Sequence, residues 1–391
     1  MSDNVKNKEL ASFEDYCNWL YSERLCSLFP RVNKESLQKN GVIVYGIAIV
    51  GKIFVSQLVK LGIKPDWIVD RDTELHGTDY MGINIRPLSS FSEAGERFIM
   101  LASTHIREMA NVCVALGAKK WIFPAAIRDW CPLLGDFGIC NDGERNIAEL
   151  KNAFTLMADE KSREIFRRFI RWHHTFDNDF SMLNDHIPYF PDDLQKQIDY
   201  SFFIDAGAFN GDTLNDWLQV FNPASAVKES KYHAFEPTPN TFDALNAVVA
   251  ALPDSVRHLV QTYNMAVGNE KNGFIEIDIA EDISSVQCQG TGVQIPCKRI
   301  DDLFASACPT IIKADIEGAE MELLRGAEET IRRCRPVLAI AVYHKYSDLW
   351  TIPMWIHELD CGYEIYLRHS PKVFTDTVCY AIPPGNKQQK D

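Results

Sequence analysis

The chain has 391 residues, 46% of them apolar and 24% charged, an ordinary globular composition with room for two or three domains. Its net charge of −14 repels phosphate backbones and anionic lipid, so nucleic acid and membrane surfaces are poor candidate partners. A neutral or cationic substrate is expected instead, and a homo-oligomer stays open.

No apolar run reaches the ~18–20 residues of a membrane span. The opening MSDNVKNKEL lacks the basic-then-apolar order of a signal peptide. Eleven cysteines, an odd number with no CxxC pair, predict reduced, mostly buried thiols in a cytoplasm. They argue against a disulfide framework or a zinc site.

Residues 1–40 read as a polar helical segment. From Gly41 short apolar runs alternate with amphipathic stretches, the pattern of a parallel sheet with crossover helices. Strands are expected at Val42–Tyr45, Trp67–Val69, Phe98–Ala102 and from Trp121. Helices are expected at Lys52–Leu61 and Ile106–Leu116. This gives a first Rossmann-like domain over 41–130. Residues 131–200 lose the strand rhythm. Glu144–Met157 and Glu160–Trp172 carry helical apolar spacing, and Asn184–Asp193 reads as a loop, so this stretch is a helical connector or cap.

At Phe202 the alternation restarts, with strands at Phe202–Ile204, Tyr232–Phe235, Val260–Tyr263, Thr310–Ala314 and Val337–Val342. Gly273–Ile279 and Val293–Lys298 look like an inserted antiparallel pair, rich in strand formers. The fold class is therefore α/β: two Rossmann-like doubly wound domains joined by a helical segment, the second over 201–391.

The chemistry is carried by residues 202–213, FFIDAGAFNGDT. An apolar strand runs into Asp205, and Gly207 and Gly211 allow a tight turn before a helix whose free N–H groups suit a carboxylate. Such a turn also fits dinucleotide enzymes. Glu236, 29 residues after Gly207, ends the next strand and can accept the hydroxyls of a ribose. The bland reading of Glu236 is a solvated strand-end acid. Thr310–Ala314 ends in DIEGAE, three acids that packing alone does not explain, and Lys313 in that strand needs an anionic partner. Val337–Val342 ends in Tyr343 and His344.

Taken together, DAGAFNGDT, FEP at 235–237, AVG at 266–268, IDDL at 300–303, KADIEGAEMELLRGA at 313–327 and YHKYSDLW at 343–350 resemble the FkbM family of S-adenosylmethionine (SAM)-dependent methyltransferases. Six separated elements match in order over roughly 190 residues. ADEKSREIF at 158–166 and YFPDDL at 189–194 are similar to a branch whose methyltransferase follows a helical segment. Phe209 departs from the asparagine of many members, and Asn210 beside it is placed to take over that polar contact.

The resemblance implies a SAM-dependent methyltransferase fold and O-methylation of a hydroxyl on a sugar, glycan or secondary metabolite. Asp205, Gly207, Asn210 and Gly211 would form the methionine side of the cofactor site, Glu236 would hold the ribose, and Ser284 and Ser285 would lie near the adenine.

Methyl transfer from a sulfonium is an in-line displacement, and a hydroxyl acceptor benefits from a general base. His344 and Asp315 are the candidates, as a pair at the ends of two neighbouring strands about 4.8 Å apart. The histidine is expected to titrate near 6–7. Structural readings stand beside these: a hydrogen-bonded histidine, and a salt bridge from Asp315 to Lys313. Asp315, Glu317 and Glu320 could instead hold Mg²⁺, but acids opening a helix are favoured by its dipole anyway. No metal ligand is assigned.

In residues 42–51, VIVYGIAIVG, the residues Gly46, Ala48 and Gly51 fit G-x-A-x-x-G between a strand and a helix. Asp70 follows 24 residues after Gly46, where a ribose hydroxyl would lie. Alanine at the middle position crowds a pyrophosphate. The stretch also resembles small Rossmann-like domains of sugar-modifying proteins that recognise nucleotide-linked sugars. Nucleotide binding and a scaffold role both remain open, as does a two-site nucleotide- and SAM-binding protein with a docking role. A nicotinamide oxidoreductase lacks its hydride-transfer residues.

Overall fold

The computed structural model describes residues 32–103, 106–122, 147–175, 187–221, 230–271, 273–280, 283–286, 293–370 and 377–385. Most of the expected N-terminal helical segment, and the boundary expected near 130, lie outside these. The chain divides into two compact units, Met1–Ala148 with Arg167–Asp179, and Glu149–Phe166 with Phe180–Asp391.

In the first unit, α1 (Lys34–Asn40) is capped by Asn33, whose side chain accepts from Ser36 N, and is ended by Gly41 at φ +84°. A Cβ at Gly41 would meet Asp66 Oδ2 at 2.4 Å, so the tight exit into the sheet requires glycine. Then follow β1 (Val42–Tyr45), α2 (Ile49–Lys60), β2 (Trp67–Val69), β3 (Asp79–Tyr80), β4 (Ile83–Arg86), β5 (Phe98–Leu101), α3 (Ile106–Ala115) and β6 (Trp121–Ile122). The sheet order is β3-β4-β2-β1-β5-β6, parallel except for the β3–β4 pair. The strand order reverses at β1, so the crevice between β1 and β5 is the place where a doubly wound sheet takes ligands.

The second unit contains α4 (Ile147–Thr155) from Glu149 on and α5 (Glu160–Thr175) as far as Phe166. It continues with β7 (Phe202–Ala206), α6 (Asp212–Phe221), β8 (Lys231–Phe235), α7 (Pro239–Ala251), α8 (Asp254–Arg257) and β9 (Val260–Tyr263). A four-stranded insertion follows: β10 (Ala266–Val267), β11 (Gly273–Ala280), β12 (Ile283–Val286) and β13 (Val293–Lys298), in order β10-β13-β11-β12. The antiparallel pairing of β11 with β13 is the one expected from the sequence.

The chain returns through α9 (Ile300–Leu303), β14 (Ile311–Ala314), α10 (Glu320–Gly326), α11 (Glu328–Cys334), β15 (Val337–Ala341), α12 (Asp348–Glu358), β16 (Glu364–His369) and β17 (Thr377–Ile382). The main sheet runs β16-β17-β15-β14-β7-β8-β9. β14 and β15 are buried along their whole length. Sheets covered on both faces need such unbroken apolar runs.

The closing hairpin β16–β17 was not foreseen. EIYLRH carries a charge in mid-strand and reads as a surface segment, yet Arg368 is 1% exposed. Its Nε donates to both carboxylate oxygens of Asp193 at 3.1 and 3.0 Å. Its Nη2 lies 2.7 Å from Asp159 Oδ2, and its Nη1 donates to Ser162 Oγ at 3.0 Å. Leu367 N in turn donates to Ser162 Oγ, and Ala158 N to Ile365 O. The segment around 157–166 is thereby fastened to the edge strand of its own unit.

The expectation of uniformly reduced thiols needs correction. Cys308, before β14, and Cys334, at the end of α11, form a disulfide with Cα atoms 5.3 Å apart. The two ends converge because β14 and α11 are consecutive layers of one crossover, a proximity invisible at a separation of 26 residues. Cys113, Cys297, Cys361 and Cys379 are free and buried, as expected. Cross-linking a loop of that length stabilises by roughly 2–4 kcal/mol. Urea unfolding with and without reductant should show that difference, and superimposable curves would show that the bond contributes nothing.

Candidate functional site

The turn after β7 is built from the inside out. Asp205 is fully buried at the sheet centre, where Lys313 Nζ lies 2.8 Å from its Oδ1 and Tyr232 OH donates to its Oδ2 at 2.6 Å. Lys313 also donates to Gly207 O at 2.6 Å, so the ion pair fixes the first residue of the turn. Burial alone would lower the lysine's pKa, but the Asp205 and Asp315 carboxylates more than offset it and hold the ammonium above its usual range. The anionic partner that Lys313 requires is thus Asp205 on the neighbouring strand. Asp205 supports the turn from below.

Gly207 sits at φ +78°, and a Cβ there would strike Asp315 O at 1.8 Å. Phe209 follows at φ +46° with its ring 53% exposed. Asparagine enters that left-handed region more readily than phenylalanine, so Phe209 holds a conformation that its own side chain disfavours. Asn210 is exposed beside it, and Gly211 at φ +89° leads into α6.

Glu236, at the end of β8, clamps the same turn. Its Oε2 accepts from Phe209 N at 3.0 Å, and its Oε1 accepts from Thr238 N at 2.8 Å and Thr241 Oγ1 at 3.0 Å. Each carboxylate oxygen has two lone pairs, so Oε1 is saturated and Oε2 keeps one place for a ligand hydroxyl.

The second half of the site follows β14 and β15, which pair directly. Asp315 Oδ2 accepts from Tyr189 OH at 2.7 Å, and its Oδ1 accepts from Tyr343 OH at 2.8 Å. Burial would raise the Asp315 carboxyl, but Lys313, His344 and the two phenols more than offset it and hold it below the usual carboxylate range.

His344 Nδ1 lies 2.8 Å from Glu320 Oε1, and its Nε2 lies 3.4 Å from Asp315 Oδ1 and 3.6 Å from Glu317 Oε2. Burial works against the charged ring, yet these three carboxylates push its pKa to about 9. The value near 6–7 expected for an ordinary histidine does not describe this setting. At neutral pH the ring is an imidazolium.

Glu320 is itself pinned, with Oε1 accepting from Ile316 N and Gly318 N. Glu317 sits at φ +55° with its side chain 60% exposed, and partial burial together with the charges of Asp315, Glu320 and Glu236 pushes its pKa up against the opposing pull of His344. Glu236 thus bears on the acids after β14, and Gly207 lies directly against Asp315 O, so the two groups sit side by side at the carboxyl ends of neighbouring strands.

Ser284 and Ser285 lie in β12, opposite Ile279 and Asp278 of β11, in the inserted sheet. In the first unit, Gly51 is needed because a Cβ would meet Gly46 O at 2.0 Å, and one at Gly46 would meet Ala102 O at 2.8 Å. Ala48 caps α2. Asp70 accepts from Ile47 N and Asp72 N at 2.8 and 2.9 Å, so both its oxygens are engaged with backbone.

Sequence reasoning missed Tyr189, 126 residues before its partner Asp315. It read Glu320 as a helix-opening acid or a candidate Mg²⁺ ligand and did not foresee that it is fully buried against His344. The positive φ of Tyr189, +66°, is a structural signal with no sequence counterpart. A cavity of about 460 Å³ lined by Phe202, His233, Phe235, Tyr263 and Phe304 contains none of these site residues.

Residues 205–365 match the family model of the methyltransferase FkbM domain. That stretch, which contains every second-unit site residue named above except Tyr189, is thus similar to a methyltransferase domain. No curated protein matches the chain. Among solved structures, methyltransferase FkbM from Methylobacillus flagellatus KT is similar at 21% identity and a TM-score of 0.67, covering 94% of this chain and 97% of that one. That likeness shows the fold along nearly the whole chain. UDP-D-quinovosamine 4-dehydrogenase from Vibrio fischeri matches 21% of this chain and 75% of its own, at 18% identity and a TM-score of 0.18. A mutant of MtNAS in complex with S-adenosylmethionine matches 72% of this chain and 82% of its own, at 10% identity and a TM-score of 0.28.

Proposed function

We propose that the chain is a SAM-dependent O-methyltransferase acting on a hydroxyl of a sugar, glycan or secondary metabolite. The observation that carries this is the turn 207–211, held between a buried ion pair and the Glu236 carboxylate, with Asp315 of a second cluster of acid–base groups directly against Gly207. The residues fit the cofactor. The N–H groups opening α6 suit the methionine carboxylate, and the free lone pair on Glu236 Oε2 suits a ribose hydroxyl. SAM supplies an electrophilic methyl group.

The chain's own part is alignment and proton handling. Holding the acceptor oxygen in line with the methyl–sulfur bond can lower the barrier by as much as ~7–11 kcal/mol. Asp315, held by Tyr189 and Tyr343, accepts a hydrogen bond from the acceptor hydroxyl and orients it. His344 takes the proton once its own has left.

Calorimetry with SAM on wild type and Glu236→Ala tests the cofactor reading. The variant should lose about 1.5–3 kcal/mol of binding, the worth of hydrogen bonds to a charged group. Equal affinity would place the ribose elsewhere and remove the support for this orientation.

A further inference from the structure

The groups at the ends of β14 and β15 make a set that a proton on His344 does not complete. Asp315, Glu320 and His344 each present a ligand atom, and these atoms all lie within 4.8 Å of one another. Ligands on an octahedral cation with bonds of about 2.1 Å stand about 3.0 Å apart when adjacent and about 4.2 Å apart when opposite. The cluster is already close to that span. Glu320 is 0% exposed, and its Oε2 has no hydrogen-bond partner among the described residues, while Oε1 takes three. A buried carboxylate oxygen without a partner is costly, and it asks for positive charge. The lysines at hand are engaged elsewhere, Lys345 on Gly318 O and Lys313 on Asp205 and Gly207 O.

We propose that Asp315, Glu320 and His344 bind one divalent first-row cation of the Mn²⁺ class in place of the imidazolium proton. With a neutral imidazole the three residues carry two negative charges, which such a cation balances. One nitrogen beside two carboxylates suits Mn²⁺ better than Ca²⁺ or Mg²⁺, which prefer all-oxygen ligands, and no thiolate is present to select a softer metal. Beside the methyl-transfer site, such a cation would act as a Lewis acid that lowers the acceptor hydroxyl's pKa, taking over from His344, which as its ligand no longer serves as the base. That role rests on the methyltransferase reading, whereas binding of the cation does not.

The test uses the full chain, stripped with EDTA and dialysed, titrated with Mn²⁺ and followed by electron paramagnetic resonance. Wild type should bind one Mn²⁺ per chain. Asp315→Asn and His344→Gln should each weaken that binding at least tenfold, and Glu322→Gln, an exposed acid on the same helix, should leave it unchanged. Circular dichroism confirms that each variant is folded, and the two substitutions follow separate strands, so one misfolded variant leaves the other to decide.

No saturable binding up to millimolar Mn²⁺ overturns the proposal. The partnerless oxygens of Glu320 and of Asp348, which also lacks a partner at Oδ2, would then be read as a carboxyl pair sharing a proton. Binding that survives in both variants overturns it as well. SAM affinity measured on the same samples separates the two readings: SAM without Mn²⁺ refutes the cation site alone, and Mn²⁺ without SAM refutes the cofactor alone.

Discussion

His344→Gln is expected to lower turnover by ~10²–10⁴-fold, the usual contribution of a positioned acid–base group, while SAM affinity stays within a few-fold. The ring is 11% exposed and its polar contacts are with Asp315, Glu317 and Glu320, none of which forms part of the 207–211 turn, so its loss should act on the reaction and spare the cofactor. With its pKa near 9, the free base is scarce at neutral pH, and the metal-free wild-type rate should climb until pH passes about 9. A rate limb near 6–7 would mean that another group holds the proton. Turnover within threefold of wild type in His344→Gln would make the residue structural and leave the base role to Asp315.

The same shift has a stability consequence of definite sign. The folded-state value is raised above the ordinary 6.5, so the stabilisation is fully present below about pH 6.5 and is lost as pH rises through about 9. Denaturant midpoints measured from pH 6 to 9.5 should fall in wild type and change less in His344→Gln.

Arg368→Met should destabilise the second unit by about 1.5–3 kcal/mol, the worth of hydrogen bonds to a charged group, because it removes the shared cation of two half-exposed carboxylates, of which Asp193 keeps Lys161. The guanidinium holds Asp159 and Asp193 together with Ser162, and through them the segment before β7 against the edge of the sheet. Burial would raise both carboxyls, yet the Arg368 hydrogen bonds and charge bring them below the usual value of 3.8. Depressed carboxylates stabilise above their unfolded pKa, and that contribution disappears as pH falls through the folded value. Wild type should therefore keep its acid limb below about pH 4, and Arg368→Met should begin to lose stability at higher pH. A urea midpoint within 0.3 M of wild type, with an unchanged slope, would show that packing of the hairpin suffices without the arginine.

The sequence by itself determined the strands of both sheets that run as apolar segments between glycine turns, because burial on two faces demands that pattern locally. VIVY, FFIDA, IIKA and VLAIA are examples, together with the order of their crossovers. It also determined the chemistry-bearing turns, since a left-handed glycine at 207 and an acid at the end of the next strand are local requirements. Only the tertiary structure decided what those acids face. Asp205 and Lys313 are 108 residues apart, Asp315 and Tyr189 are 126 apart, and Arg368 and Asp159 are 209 apart. A charged side chain reads the same in sequence whether it is solvated or paired in a core. Its partner is chosen by which strands pair and how the sheet is ordered, and that choice turned a histidine expected to titrate near neutrality into an imidazolium held among three carboxylates.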